Sequence, residues 1–294
     1  MIGIDWGTSS FRAYRLAADG RILDRVAREA GILAIPAGGF PAALEAAIGP
    51  WLAAGERRVL LCGMVGSRQG WVEAPYLPCP AGPAEIAAAL TRIPYDQAEL
   101  LLVPGLSTRD AGGVPDVMRG EETKLIGLLA ALGSAPALAC LPGTHSKWAR
   151  LEGGRIAGFA TQMTGELRAV LLAHSILGRM AEEGPTVEAA FRRGVRRAGE
   201  AGGLLHQLFG TRGLGLMGEL LPAETSSYLS GLLIGHELRA VLAEAPPAGP
   251  IHLAGAEALA AAYALAFAEC GLDWRMQDPD LAAHGLHLIA ETLA

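Results

Sequence analysis

Two short stretches hold the residue types best suited to chemistry. Near the start, Asp5-Trp-Gly7-Thr8-Ser9-Ser10 sets a carboxylate just ahead of a glycine and three hydroxyls. Gly7 has no side chain to block an approaching oxyanion, so backbone N–H groups and hydroxyls there can close on a phosphate. A carboxylate beside phosphate is a usual place for Mg²⁺, which gives Asp5 a candidate metal-binding and catalytic role. The pattern then returns: Gly143-Thr144-His-Ser146 repeats Gly7-Thr8-x-Ser10, and Gly154-Arg155-Ile156 repeats Gly20-Arg21-Ile22. Gly7, Thr8, Ser9, Gly143, Thr144 and Ser146 are candidate phosphate contacts. Lys147 and Arg12 stand beside the two turns as cations for an anionic ligand, although ordinary exposed strand residues would look the same.

A third cluster, Asp116-Val-Met-Arg-Gly-Glu-Glu-Thr-Lys124, gathers three carboxylates and two cations ahead of an apolar helical pattern. Phosphate transfer to an alcohol needs a carboxylate to take the hydroxyl proton. A solvated helix cap would place glutamates there as well, since they suit the helix dipole. The loop over 63–76 collects Ser67, Arg68, Gln69, Trp71 and Tyr76 directly after a buried strand. Arg68 could fork onto a carboxylate, and Trp71 could cover the apolar side of a sugar. A long surface loop with a structural tryptophan is the alternative.

These groups need a scaffold. Ile2 and Ile4, then Phe11, Ala13 and Leu16, alternate as two antiparallel strands flanking the first turn. A third strand is expected over 21–29, a helix over 40–54, buried strands over 57–62 and 99–103, and a short helix over 83–90. The Gly- and Pro-rich segment over 108–120 reads as a linker, which puts a boundary near 115 and gives domains 1–115 and 116–294. Beyond it come a helix over 121–132 and a strand over 137–141 that delivers the second turn, whose own strands cover 146–151 and 155–161. Helical periodicity then fills 164–210, broken at Gly184-Pro185 and Gly199, and 225–244. A strand over 251–255, a helix over 256–270, a last strand over 272–276 and a helix over 280–293 follow. That last helix could pack back on the first domain. Strands and helices in this order give an α/β protein.

The chain has 294 residues, 51% of them apolar and 18% charged, enough for two medium cores. A formal charge of −6 argues against nucleic acid or an anionic membrane as the main partner. Cys62, Cys79, Cys140 and Cys270 form no C-x-x-C pair and read as reduced thiols. No basic leader precedes the first strand, and the longest apolar run, 254–268, contains Glu257 and is short for a bilayer. A cytoplasmic location is expected. Gly213-Leu-Gly-Leu-Met-Gly218 has the form G-x-G-x-x-G but follows a helical run rather than a strand. His284 and His287 lack a third metal ligand. Gly231 and Gly235 share a helix face, suited either to a hinge or to a tightly packed core.

The ordered set of motifs closely resembles the 2-dehydro-3-deoxygalactonokinases, within the sugar-kinase, Hsp70 and actin superfamily. The set is Ile-Asp-Trp-Gly-Thr-Ser-Ser-Phe-Arg12, Gly63-Met-Val-Gly-Ser-Arg-Gln-Gly-Trp71, Asp116 to Glu122, Pro142-Gly-Thr-His-Ser-Lys-Trp148 and Thr161-Gln-Met-Thr-Gly-Glu166. The resemblance implies a two-domain actin-like ATPase (ribonuclease H-like) fold with a duplicated phosphate-binding β-hairpin. It implies ATP and Mg²⁺ as cofactors, a cleft that closes on binding, and phosphorylation of the 6-hydroxyl of 2-dehydro-3-deoxy-D-galactonate. Gly120-Glu121-Glu122-Thr123 is similar to the Gly-Asp-Gln-Gln segment of glycerol and xylulose kinases, whose Asp is the base. Glu121 falls on that position, with Glu in place of Asp; Asp116 and Glu122 are the alternatives. Gly255-Ala256 resembles the superfamily's adenosine motif, and Ser67, Arg68, Trp71, Tyr76 and Arg12 are the expected sugar-acid contacts. Two other readings stay open: a kinase for a different small sugar or acid, and a nucleotide-dependent sensor or scaffold on the same fold. The oligomeric state is also open, with a homodimer among the options.

Overall fold

The computed structural model describes residues 1–293. β1 (Ile2–Trp6) and β2 (Phe11–Leu16) pair antiparallel, with Ile4 opposite Ala13 and Trp6 opposite Phe11, and β3 (Ile22–Arg28) extends the meander. After α1 (Phe40–Ala53), β4 (Arg58–Cys62) lies parallel to β1. The short elements β5 (Tyr76–Pro78), α2 (Pro83–Ala88), β6 (Thr91–Ile93) and β7 (Glu99–Leu102) come next. β8 (Gly105–Arg109) and β9 (Pro115–Met118) lead into α3 (Glu121–Leu132). β10 (Ala137–Leu141) delivers the second turn, and β11 (Ser146–Glu152) and β12 (Arg155–Gln162) leave it. A helical block follows: α4 (Thr164–His174), α5 (Glu188–Arg197), α6 (Gly203–Leu216) and α7 (Pro222–Glu244). The chain continues through β13 (Ile251–Leu253), α8 (Glu257–Glu269), β14 (Trp274–Met276) and α9 (Leu281–Glu291).

The chain divides into two compact units. The first holds Met1–Pro136, Ala149–Phe159 and the segment from Gln277 onward; the second holds Ala137–Trp148 and Ala160–Met276.

In the first unit a six-stranded sheet runs β3-β2-β1-β4-β7-β6, and a three-stranded sheet runs β5-β8-β9. Ile2, Ile4, Val59, Leu60, Leu61, Leu100 and Leu102 are all fully buried, as parallel strands covered on both faces require. Leu44, Ile48 and Leu52 of α1 join the core with Trp6 and Phe40. Helices α3 and α9 cross at backbone contact: a methyl group on Gly127 would strike the Leu281 carbonyl, and one on Gly285 the Thr123 carbonyl. α9 also reaches the sheet, where a methyl on Gly3 would lie 3.0 Å from Leu286 Cδ1.

A five-stranded sheet runs β12-β11-β10-β13-β14, with β13 parallel to both β10 and β14, and those last three strands belong to the second unit. Trp148, Phe191, Ile234, Leu238, Tyr263 and Phe267 fill its core. Gly231 and Gly235 lie on the face of α7 that meets α5, where a methyl on Gly231 would run into the Phe191 carbonyl. That small-residue face therefore serves a close helix pair inside one unit.

One expectation changes. The boundary near 115 moves to Pro136/Ala137, because β9 pairs with β8 (Leu106 opposite Met118) and α3 packs on α9. The residues that suggested a linker form the β8–β9 turn, where the Asp110 carboxylate accepts the Gly112 and Val114 N–H groups at 2.9 and 2.8 Å. The helical run over 164–210 resolves into α4, α5 and the start of α6. Gly213 and Gly215 lie inside α6, so the Gly-rich string there is no strand–turn–helix junction. Among the described residues no helix is long and apolar enough to cross a membrane.

Candidate active site

The first turn is braced from behind. Gly7 N–H donates to the Ser10 carbonyl at 2.8 Å, closing the turn, and Ile32 and Leu33 N–H groups hold the Gly7 and Thr8 carbonyls at 3.0 and 3.3 Å. Gly31 makes this contact because a methyl group there would collide with the Thr8 backbone. With its carbonyls pinned, the turn presents the exposed side chains of Thr8, Ser9 and Ser10 to solvent. Asp5 and Arg12 are register partners across the hairpin, Arg12 exposed and Asp5 partly buried.

Asp5 belongs to a cluster at the ends of β1 and β4 and the start of α3. Lys124 Nζ lies 4.0 Å from its carboxylate. Burial pushes the Cys62 thiol up, and the nearby Asp5 and Glu122 carboxylates push it further. The cluster is tight because Gly63 (φ +96°) and Gly120 (φ +105°) take positive backbone angles at its edge. A methyl on Gly63 would lie 2.7 Å from the Trp6 carbonyl and 3.3 Å from Asp5 Oδ1.

The three candidate bases occupy different settings. Glu122 is fully buried, accepts the Gly120 N–H at 2.6 Å and the Thr123 hydroxyl at 3.1 Å, and is sealed from any substrate. Burial, reinforced by the neighbouring Glu121, pushes its pKa to about 8, so it holds a proton at neutral pH. Asp116 sits on β9, opposite Thr108, and its carboxylate accepts the Val117 N–H at 2.7 Å. Glu121 is the first residue of α3 and is partly exposed; one carboxylate oxygen accepts the Arg119 N–H at 3.2 Å.

The loop after β4 spreads its candidates apart. Trp71 stacks on Phe40 (centroids 6.0 Å apart, planes at 9°) and meets Tyr95 edge-on, so its ring belongs to the rim of the core. The Arg68 side chain is 87% exposed and pairs with Glu73 at 3.6 Å. Tyr76 is 44% exposed and lies under a guanidinium that the sequence reading passed over, that of Arg119, with Cζ 4.4 Å from the ring centroid. Ser67 Oγ is buried and finds no hydrogen-bond partner among the described residues.

The second turn is built differently. Thr144 and His145 are exposed, and the start of α4 seats against the turn through Glu166 N–H to the Thr144 carbonyl at 3.0 Å. Gly165 permits this approach, since a methyl there would sit 2.9 Å from Thr144 Cα. Ser146 points inward: it is fully buried, 2.6 Å from the Tyr263 hydroxyl, which also bonds Glu237 at 2.8 Å. Glu237 further accepts Trp148 Nε1–H at 2.7 Å, and burial raises its pKa despite these donors. Lys147 is 6% exposed and donates to Thr161 Oγ1 at 2.7 Å. A cavity of about 340 Å³ opens beside Gly143, lined by Gly165, Arg168, Ser230, Ala258, Leu259 and Tyr263 among others. Gly255 and Ala256 are exposed at the β13–α8 junction leading to Ala258, and Gly255 packs on Pro142.

A glycine–hydroxyl turn in each unit and a half-exposed glutamate heading a helix suit phosphoryl transfer to an alcohol, and the two-unit α/β fold is that of actin-like ATPases and sugar kinases. A Porphyromonas gingivalis structure named for N-acetylglucosamine kinase shares the fold at 16% identity, with a TM-score of 0.52 and 98% of each chain covered. Closer kinship fixes the family. Residues 5–289 match the family described as 2-keto-3-deoxy-galactonokinase, and the chain belongs to it. The 2-dehydro-3-deoxygalactonokinase of Escherichia coli (strain K12) is 35% identical over 100% of this chain and 98% of its own length. A Rhizobium meliloti (strain 1021) protein described as probable 2-dehydro-3-deoxygalactonokinase DgoK1 is 39% identical over 99% and 96%. A Sinorhizobium meliloti crystal structure carrying the same activity name superposes with a TM-score of 0.92, at 39% identity, over 99% of this chain and 98% of its own.

Proposed function

We infer that this carbohydrate kinase transfers the γ-phosphate of ATP to the 6-hydroxyl of 2-dehydro-3-deoxy-D-galactonate. The observation that carries the reading is full-length kinship with relatives bearing that activity name.

The first unit supplies the turn at Gly7–Ser10, Asp5 and Glu121. The second supplies the turn at Gly143–Thr144 and the cavity beside it, whose volume suits a nucleoside and whose lining includes the first turn of α8. Glu121 is the base: one oxygen is fixed by the Arg119 N–H, leaving the other to accept the proton of the sugar-acid hydroxyl. As the hydroxyl oxygen, its proton passing to Glu121, bonds to the γ-phosphorus, the bond from phosphorus to the ADP oxygen breaks and ADP leaves. Thr8, Ser9 and Thr144 orient phosphate oxygens with their exposed hydroxyls, so the gain comes from positioning.

Asp5 is the residue to hold Mg²⁺. Its partly buried carboxylate, in β1 just ahead of the first turn, would contribute an oxygen ligand to the ion. When bound, that ion supplies charge neutralisation on the triphosphate. The cysteines are all free thiols, which supports a cytoplasmic setting.

The test is product analysis. Mass spectrometry and ³¹P NMR of a reaction with 2-dehydro-3-deoxy-D-galactonate should show a single phosphomonoester, with the phosphorus coupled to the C6 protons. A phosphate on another carbon, or none, would sink the assignment.

A further inference from the structure

Arg119 is the most anomalous cation in the first unit. Its side chain is only 8% exposed, and among the described residues its one side-chain hydrogen bond goes from Nη2 to the neutral carbonyl of Ala74, at 2.7 Å. Nε and Nη1 are buried and find no acceptor among the described residues. A guanidinium carries five donors and cannot shed its charge, so leaving two donor nitrogens idle in a dry setting is strongly unfavourable unless an anion meets them. Buried groups in this state call for a partner that binds.

The Tyr76 ring covers one face of the guanidinium at 4.4 Å and is itself 44% exposed, which links the buried charge to solvent. Gly66 keeps the space by Nη1 clear, since a methyl there would stand 3.0 Å from that nitrogen. The next residue is Ser67, whose hydroxyl is also buried without a partner among the described residues. The Arg119 main chain meanwhile holds Glu121 at 3.2 Å, so an anion on this side chain lies on the segment that carries the base.

We propose that Arg119, floored by Tyr76, is the residue that takes the carboxylate of the sugar acid. The proposal rests on the sugar-acid kinase reading above. It replaces Arg68, whose guanidinium stands in solvent beside Glu73. A buried guanidinium with idle donors suits the carboxylate of the sugar acid. A neutral sugar would leave the buried charge unmet, so the same residue sets specificity for acids.

The experiment compares wild type, Arg119→Met, Arg119→Lys and Arg68→Ala. Each is assayed with 2-dehydro-3-deoxygalactonate and with its methyl ester, which keeps the reacting hydroxyl and loses the charge. Wild type should favour the acid strongly. Arg119→Met should raise KM for the acid on the order of 10²–10³-fold, as truncating one partner of a buried charge pair does, and abolish the preference over the ester. KM for ATP should stay within about twofold, since uniform binding of the other substrate is untouched. Arg119→Lys keeps a buried cation and tests the idea if Met does not fold; it should show a smaller rise and a partial preference. Retention of the full acid-to-ester preference in the folded Arg119 variants would overturn the proposal. So would loss of that preference in Arg68→Ala alone, or a rise in KM for ATP in place of the acid. Wild type that turns over neither acid nor ester would instead refute the kinase reading itself.

Discussion

Gly63 and Gly120 meet backbone to backbone: a methyl group on Gly120 would lie 3.1 Å from the Gly63 Cα. Each has a positive φ, +96° and +105°, that side-chain-bearing residues rarely adopt. The pair joins the end of β4 to the start of α3, and so sets Glu121 at a fixed place relative to Asp5. Gly120→Ala adds both backbone strain and a close contact. It should lower stability by about 1–3 kcal/mol and reduce kcat more than KM for either substrate. Thermal melts with parallel kinetics check this; a variant with wild-type kcat would show that the glycine pair does not govern the base.

Glu121→Gln keeps the shape and the acceptor for the Arg119 N–H but cannot take a proton. Turnover should fall by roughly 10²–10⁴ while both substrates still bind. Asp116→Asn, on β9, should fall far less. If the order of the two effects is reversed, the base is Asp116.

Glu122 makes stability depend on pH. In the folded protein it keeps its proton up to about pH 8, whereas the ordinary value is 4.5. The stability it contributes is therefore complete below the ordinary value and is lost as pH rises through the folded one, at up to about 1.4 kcal/mol per pH unit. Glu122→Gln, which cannot ionise, should flatten that decline and gain on wild type in alkaline buffer. Urea midpoints for both proteins at about pH 6 and about pH 9 read the difference; parallel declines would place the titration elsewhere.

The hydroxyls of the second turn should separate by function. Thr144→Val removes an exposed hydroxyl and should weaken ATP binding with little change in melting temperature. Ser146→Ala breaks the buried contact to Tyr263 and should cost about 1 kcal/mol of stability, with nucleotide affinity kept. Calorimetry with a non-hydrolysable ATP analogue and a thermal melt resolve the pair. Loss of ATP affinity in Ser146→Ala would return that hydroxyl to the phosphate site.

What could be read from the chain follows from how local each feature is. The two turns are a few residues of glycine and hydroxyl between apolar runs, and strands β1, β2, β4, β10, β11 and β12 follow from period and burial alone. The small sheet β5-β8-β9 could not be read, because its strands are short and β5 pairs in parallel with β8 across a long separation. With it went the boundary, since the Asp110 turn has a linker's composition. Arg119 looked like one charge among five in a helix cap; its burial depends on Tyr76 and Ala74, distant in sequence. Ser146 repeats Ser10 in type but not in setting: Ser10 is exposed and Ser146 is sealed behind Tyr263. Its place at the head of the buried Ser146-Lys-Trp-Ala run was the available sign.

The central claim is tested most directly by ADP release from purified protein with MgATP, followed with and without 2-dehydro-3-deoxy-D-galactonate. Negligible ADP should appear without the sugar acid. Release should be rapid with it, one ADP per phosphate ester formed, and turnover of galactose, glycerol or xylulose should be far slower. ADP release that ignores the sugar acid, or equals it with a neutral sugar, would contradict the account.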